Sequence, residues 1–171
     1  HPSEVLTPRR PSMRNLLRAH SAEHLEALQQ SEVVLRIFGV PLSDQELDGA
    51  VNTQRLMVGG TIQATRMARH NRAVSVNLGG GLHHAHRDSG LSFCRFNDVA
   101  VAITRLRARG FKAPILVIDL DLHDGNGTRS IFAGDPTVHT YSIHNEHWGD
   151  TEAKASTSIA LGELVSDETY L

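Results

Sequence analysis

Residues 114–120, Pro-Ile-Leu-Val-Ile-Asp-Leu, are almost wholly apolar and run straight into Asp121-Leu122-His123-Asp124-Gly125-Asn126-Gly127. A strand with one wet face alternates apolar and polar residues, whereas one apolar on both faces belongs in a parallel sheet covered by helices. The run Pro114–Leu120 therefore predicts a fully buried strand, and the rest of the chain must supply its cover. Helical spacing of Val99, Ile103 and Leu106 predicts a helix over Phe96–Arg109, with Gly110 placed to end it. A short helix over 128–133 and a strand over Thr137–Ile143 follow. Upstream, Ala73–Asn77 reads as a strand leading into the loop Gly79-Gly80-Gly81. Ser21 is placed to cap a helix through Ala22–Gln30, with Leu25 and Leu28 on one face. Ser43-Asp44-Gln45-Glu46 has capping-box spacing and opens a second helical stretch, interrupted near Gly59-Gly60 and reaching about His70. Strand, helix, strand, helix, strand is an α/β pattern: one domain, a central parallel sheet with helices on both faces.

Composition narrows the partners. The 171 residues fit a single domain, and 40% apolar, 21% charged and a net charge of −2 are ordinary for a globular protein. That balance gives no electrostatic reason to expect nucleic acid or an anionic membrane. No apolar run approaches the roughly 18–20 residues that span a bilayer. The opening His1-Pro2-Ser3-Glu4 lacks a basic and apolar leader pattern. A single cysteine, Cys94, excludes an internal disulfide and suits a reducing compartment, which points to the cytoplasm.

The chemistry gathers where such sheets bind ligands, beyond the carboxyl ends of the strands. Along an extended segment Asp119, Asp121 and His123 project to one side. Two carboxylates at the end of a buried strand repel and are poorly hydrated, and a cation removes that penalty. Oxygen with imidazole suits zinc or a similar divalent ion. Taken alone, the acids could equally cap the next helix; the second histidine cluster favours the metal. In Gly79-Gly80-Gly81-Leu82-His83-His84-Ala85-His86, the adjacent histidines are candidates for general base and general acid. Asp119 could accept a hydrogen bond from one of them, raising its basicity and fixing its tautomer. Gly125 and Gly127 are expected to let the backbone turn tightly around the site.

Three blocks in this order, Asn77–Ala85, Gly90-Leu91-Ser92-Phe93-Cys94-Arg95-Phe96-Asn97-Asp98 and Asp119–His123, resemble the histone deacetylase and acetylpolyamine deacetylase superfamily. Val58-Gly59-Gly60-Thr61 and Gly125-Asn126-Gly127 look most like its class IV and bacterial branch, and the similarity starts near Leu16–His20. The resemblance implies an arginase/deacetylase-type fold and zinc-assisted hydrolysis of an acyl-lysine or a related acylated small amine. It implies that Asp121 and His123 are two zinc ligands, that His83 and His84 handle protons, and that Asp119 supports the first of them. Asp119, Asp121, His123 and the Ser142 carbonyl correspond to a structural monovalent-cation site, for potassium. Phe93 and Gly81 correspond to wall and floor of the acyl-lysine channel. Asn126 stands where many relatives carry an acid, which implies that His84 is less basic than His83. Arginases share the fold but bind two metals through Asp-x-His-x-Asp; Gly125 replaces the last of these here.

Family members also carry a third zinc ligand, an Asp in a later loop, and an oxyanion-stabilising Tyr. Neither Tyr141 nor Tyr170 lies in a matching motif. Residues 1–171 are thus expected to be a partial deacetylase domain, lacking the first strand and the carboxyl-terminal half and inactive alone. The alternative is a truncated homologue without catalysis that acts as a binding or assembly module.

Overall fold

In the computed structural model, which describes residues 5–171, three parallel strands lie in the order β1 (Ile115–Asp119), β2 (Val138–His144) and β3 (Ser156–Ala160). His1–Glu4, the segment read for a leader pattern, lies outside the described residues. Helices α1 (Met13–Leu16), α2 (Ala22–Ala27), α3 (Ser31–Phe38), α4 (Asp44–Asn71) and α5 (Asp98–Arg107) precede β1. Helix α6 (Asn126–Phe132) crosses from β1 to β2, and α7 (Asp167–Tyr170) follows β3.

The inward residues Val138, Thr140, Ser142 and His144 of β2 alternate with partly exposed ones, so one face of the sheet is tightly covered. The core on that side joins Leu16, Ile37, Val58, Phe96, Val101 and Val138. Ser21 caps α2 by accepting from the His24 N–H, and Ser43 with Glu46 forms the expected capping box on α4.

Three expectations are corrected. Helix α4 runs unbroken for 28 residues through Gly59-Gly60. Gly59 is buried there because a β-carbon would collide with the Arg9 carbonyl, so glycine serves close packing and not a break. Ala73–Asn77 is no strand, and Val74, Val76 and Leu78 are 93%, 75% and 100% exposed. A strand needs a partner for its N–H and C=O groups, and none of the described residues pairs with this one. Finally, β1 is not buried on both faces: Leu116 and Ile118 are 59% and 60% exposed. Among the described residues β1 pairs only with β2, so its other edge is free, and its Leu116/Ile118 face lies bare. Strand β3, Ser-Thr-Ser-Ile-Ala, was not foreseen, having one large apolar residue to announce it.

The amino-terminal end of α5 is the junction that fixes the loops. Asn97 and Asp98 are both completely buried. The Asn97 side chain accepts from the Ala100 N–H at 2.9 Å and donates to the Ala85 carbonyl at 3.2 Å and the Thr128 hydroxyl at 2.9 Å. Asp98 accepts from the Gly81 and Leu82 N–H groups at 3.2 and 2.7 Å and from the Thr61 hydroxyl. His20 completes the junction: Nδ1–H donates to the His86 carbonyl at 2.9 Å while Nε2 accepts from the Asn97 N–H at 3.0 Å. Burial first, and His24 second, push its pKa down to about 4, so it is a neutral ring of fixed tautomer.

Asn97→Ala removes a helix cap and leaves buried partners unsatisfied, so it should lower stability by about 2–4 kcal/mol. The midpoint of urea unfolding measures this, and a change under about 0.5 kcal/mol, the ordinary surface value, would refute the junction's importance.

Candidate active site

The loop held by Asp98 delivers His83 and His84 to the carboxyl end of β1. His83 Nδ1–H donates to Asp119 at 2.6 Å, and its Nε2 lies 3.8 Å from Asp121. His123 Nδ1 lies 3.3 Å from the same Asp121 carboxylate, which also accepts the His123 N–H at 2.8 Å. All five charged or titratable residues expected at the site are therefore together. The two imidazoles sit side by side, with ring centroids 4.1 Å apart.

Their electrostatics differ. Burial pulls the His83 imidazolium down, but the Asp119 hydrogen bond and charge, with Asp121 and Asp124, outweigh it and hold its pKa above the usual range. For His84 burial dominates, and the neighbouring His83 and His123 add to it, so its pKa falls. Its Nδ1–H donates to the Asn126 side-chain oxygen at 2.9 Å. Asn126 is oriented by donating its own N–H to the Trp148 carbonyl at 3.1 Å. The neutral amide fixes the His84 tautomer without adding the charge that Asp119 gives His83. For Asp121 the largest single influence is burial, which opposes ionisation, but the His123 N–H with the His83 and His123 charges together outweigh it and hold its pKa below the ordinary carboxylate range.

The glycines work by proximity and not by turning. A β-carbon on Gly127 would stand 2.5 Å from the Ala85 carbonyl oxygen and 2.6 Å from that of His83. One on Gly125 would meet the Asp119 carboxylate at 2.5 Å, although Gly125 has an ordinary φ of −70°. This corrects the expected tight turn: Gly127 lets the start of α6 press against the histidine loop, and Gly125 lets the segment before it pass close to the Asp119 carboxylate. Gly81 has φ +88°, which L side chains rarely adopt, and nothing crowds it. Phe93 is also left-handed, at φ +66°, with its N–H donating to the Ile37 carbonyl at 2.7 Å. That pinned backbone presents a ring that is 65% exposed. Ser142 pairs with Asp119 across the β1–β2 ladder, and its hydroxyl accepts from the Gly125 N–H at 3.2 Å.

Trp148 was not foreseen as a site residue. Its indole lies parallel to the His84 ring, 4.5 Å away at 9°, and 5.0 Å from His123. The sequence held one signal for it: the only tryptophan sits alone in the polar stretch Asn145–Asp150. Beneath it, Asp124 is fully buried and grips Arg129 through both oxygens, at 2.5 and 2.6 Å, while accepting the Trp148 N–H at 3.0 Å.

Two places could attract a metal. Asp124, His144 and His147 have donor atoms within 4.8 Å of one another. Arg129, however, already neutralises Asp124 and occupies both its oxygens, and His144 Nε2 and His147 Nδ1 share a hydrogen bond of 3.1 Å. This cluster is a satisfied polar network. Asp121 and His123 fit better. Two donors each about 2.0–2.1 Å from a tetrahedral zinc stand about 3.3 Å apart, and the observed separation is 3.3 Å.

The profile of the Histone deacetylase domain matches residues 1–156. The chain belongs to this family. It is 34% identical to an uncharacterized protein of Picosynechococcus over 99% of the chain and 56% of that protein. It is 33% identical to the acetoin utilization protein AcuC of Bacillus subtilis and 32% to histone deacetylase 2 of Arabidopsis thaliana, in each case over 82% of the chain and 38% of the relative. A crystal structure of a histone deacetylase homologue from Aquifex aeolicus superposes with a TM-score of 0.75 at 24% identity, covering 94% of this chain and 49% of that one. The fold is therefore of the arginase/deacetylase type. The chain spans about half the length, or less, of the relatives it matches.

Replacing Asn126 by Asp adds a carboxylate to the His84 Nδ1–H. The His84 imidazole should then titrate at higher pH than in the parent, measured by following its ring C–H resonances against pH. No upward movement would break the assigned contact.

Proposed function

We propose that the protein containing this chain is a zinc-dependent amide hydrolase that removes acyl groups, acetyl foremost, from lysine or a related small amine. The observation that carries the reading is the 2.6 Å Asp119–His83 bond beside the Asp121–His123 pair. It supports the reading because an imidazole of raised pKa lies beside two side chains of the types that bind zinc. The matched domain and the name of the Arabidopsis relative support it.

Asp121 and His123 would hold the zinc, which when bound supplies a Lewis acid that polarises the amide carbonyl. Asp119 keeps the proton on His83 Nδ1, so His83 Nε2 is free to accept one from the attacking water. The proton that His83 takes from the water would pass to the leaving amine as the C–N bond breaks, while neutral His84, its Nδ1–H held by Asn126, offers Nε2 as a hydrogen-bond acceptor beside it. Asp119 tolerates the positive charge that collects on His83 during that exchange. In this reading Phe93 and Gly81 line the channel for the acylated chain. Asp119, Asp121, His123 and the Ser142 carbonyl line a monovalent-cation site, for potassium. The buried Cys94 thiol, its pKa pushed up to about 11 by burial, is unreactive and fits a reducing cytoplasm. Among the described residues no helix is long and apolar enough to cross a membrane.

The test is a panel of acyl-lysine and acyl-polyamine substrates with zinc analysis on the full-length protein. His83→Ala should lower kcat by a factor on the order of 10²–10⁴ while zinc stays bound. Turnover within a few-fold of the parent removes His83 from the mechanism. Asp121→Ala should lose zinc on dialysis, and unchanged stoichiometry refutes its role as a ligand.

A further inference from the structure

A second concave region lies at the other end of α5, about 10 Å along the helix axis from the Asp98 end that holds the histidine loop. It is a cavity of about 720 Å³ between the carboxyl ends of α4 and α5. Its polar lining is entirely basic: Arg66, Arg69, His70, Arg72, Arg105 and Arg109. Met67 and Leu106 are the only other residues that line it, so neither a carboxylate nor a hydroxyl contributes.

Cations near helix ends are ordinarily explained by the negative pole of the helix dipole. Here it accounts for Arg69 and His70 in the last turn of α4 and for Arg105 in that of α5, whereas Arg66 lies earlier in α4 and Arg109 beyond the end of α5. Arg107 donates to the carbonyls of Phe111 and Ala113 at 3.0 and 2.8 Å and to the Thr137 hydroxyl at 2.9 Å. Among the described residues the five arginines of the cavity join no ion pair. Arg69 alone has an aromatic neighbour, its guanidinium 5.3 Å from the Phe111 ring. Arg105 is partly buried, and burial first, then Arg109, Arg66 and Arg18, lowers its pKa. Like charges gathered without counter-charge destabilise the fold unless an anion joins them. The chain as a whole is slightly acidic, at −2, which makes such a gathering the more unusual.

We propose that this cavity is a binding site for a small polyphosphate, a linear tri- or pyrophosphate or the phosphate tail of a nucleotide. Guanidinium forks match phosphate oxygens two at a time, and Arg is the residue suited to such recognition. The volume falls in the roughly 300–1,000 Å³ range of small-ligand sites, and the surface is concave where an extended partner would need a flatter face. Ligand there would clamp α5 to α4, and α5 carries the junction that sets His83 and His84. The site is independent of the hydrolase reading, and its test needs no turnover.

The experiment is titration calorimetry of the full-length protein with tripolyphosphate, with inorganic phosphate and a poly-glutamate peptide alongside. The expected result is one saturable site for tripolyphosphate, at least about tenfold tighter than for phosphate, since each added phosphate gains charge-assisted bonds. Arg105→Gln should weaken binding about tenfold, and Arg66→Gln with Arg109→Gln, both exposed and safe for folding, should do the same. Arg107→Gln should leave affinity unchanged while lowering the melting temperature. Absence of a saturable site overturns the proposal, as does equal weakening by Arg107→Gln, which would mean diffuse charge only. Tighter binding of the poly-glutamate peptide than of tripolyphosphate also overturns it, in favour of an acidic protein segment.

Discussion

Asn97 and Asp98 bear on nearly everything else, because two adjacent, fully buried polar side chains must be satisfied and only one arrangement of loops does so. Asp98 takes the backbone of the glycine loop, and Asn97 takes the Ala85 carbonyl and α6. His83 and His84 thus stand on a loop nailed at both ends, and their placement against β1 needs no contribution from the loop's own flexibility. Rigid support of this kind is what a proton-transfer site requires, since small displacements of reacting groups are costly.

From that platform the two histidines acquire different characters through one atom of difference. Asp119 beneath His83 carries a charge and Asn126 beneath His84 does not, though both accept from Nδ1 at similar distances. Opposite pKa directions give the neighbouring imidazoles different affinities for a proton without either leaving hydrogen-bonded contact. The linkage to stability follows in sign. His83, raised, contributes stability that is complete below its unfolded pKa near 6.5 and fades as pH climbs through its folded value. Asp124, lowered by Arg129 and the Trp148 N–H against the opposing effect of burial, contributes above its unfolded value of 3.8 and fails as pH falls through the folded one.

How much of this the sequence revealed depended on whether the signal was local. Ser21 and Ser43 announce helix starts because capping involves residues three apart, whereas the Asn97 cap, taken as helix interior in Phe96–Arg109, shows only in the fold. His83 with His84, and Asp119 with Asp121 and His123, stood out because each set lies within a short segment, although β1 ends at Asp119 and residues 121–123 bend instead of continuing the expected extended alternation. What failed was non-local. Ala73–Asn77 and the outer face of β1 were apolar enough to be buried, yet burial depends on what lies opposite, and composition carries no record of that. Trp148 and Arg129 reach the site through contacts 24 and 5 residues away from Asp124, and only folding brings the tryptophan over His84. Gly59, Gly125 and Gly127 illustrate the same limit: glycine advertised freedom of rotation, whereas the fold used its missing side chain.

Under the proposed function, the edge of β1 left unpaired among the described residues bears on metal loading. Asp121 and His123 follow shortly after that strand, and Leu120 and Leu122, on either side of Asp121, are exposed like Leu116 and Ile118. Any segment laid along the edge would carry its own side chains past the two donors and dry them at the same time. Completing the sheet and tightening the grip on an ion would then be a single cooperative event, with chelators loosening the strand and strand displacement releasing the ion.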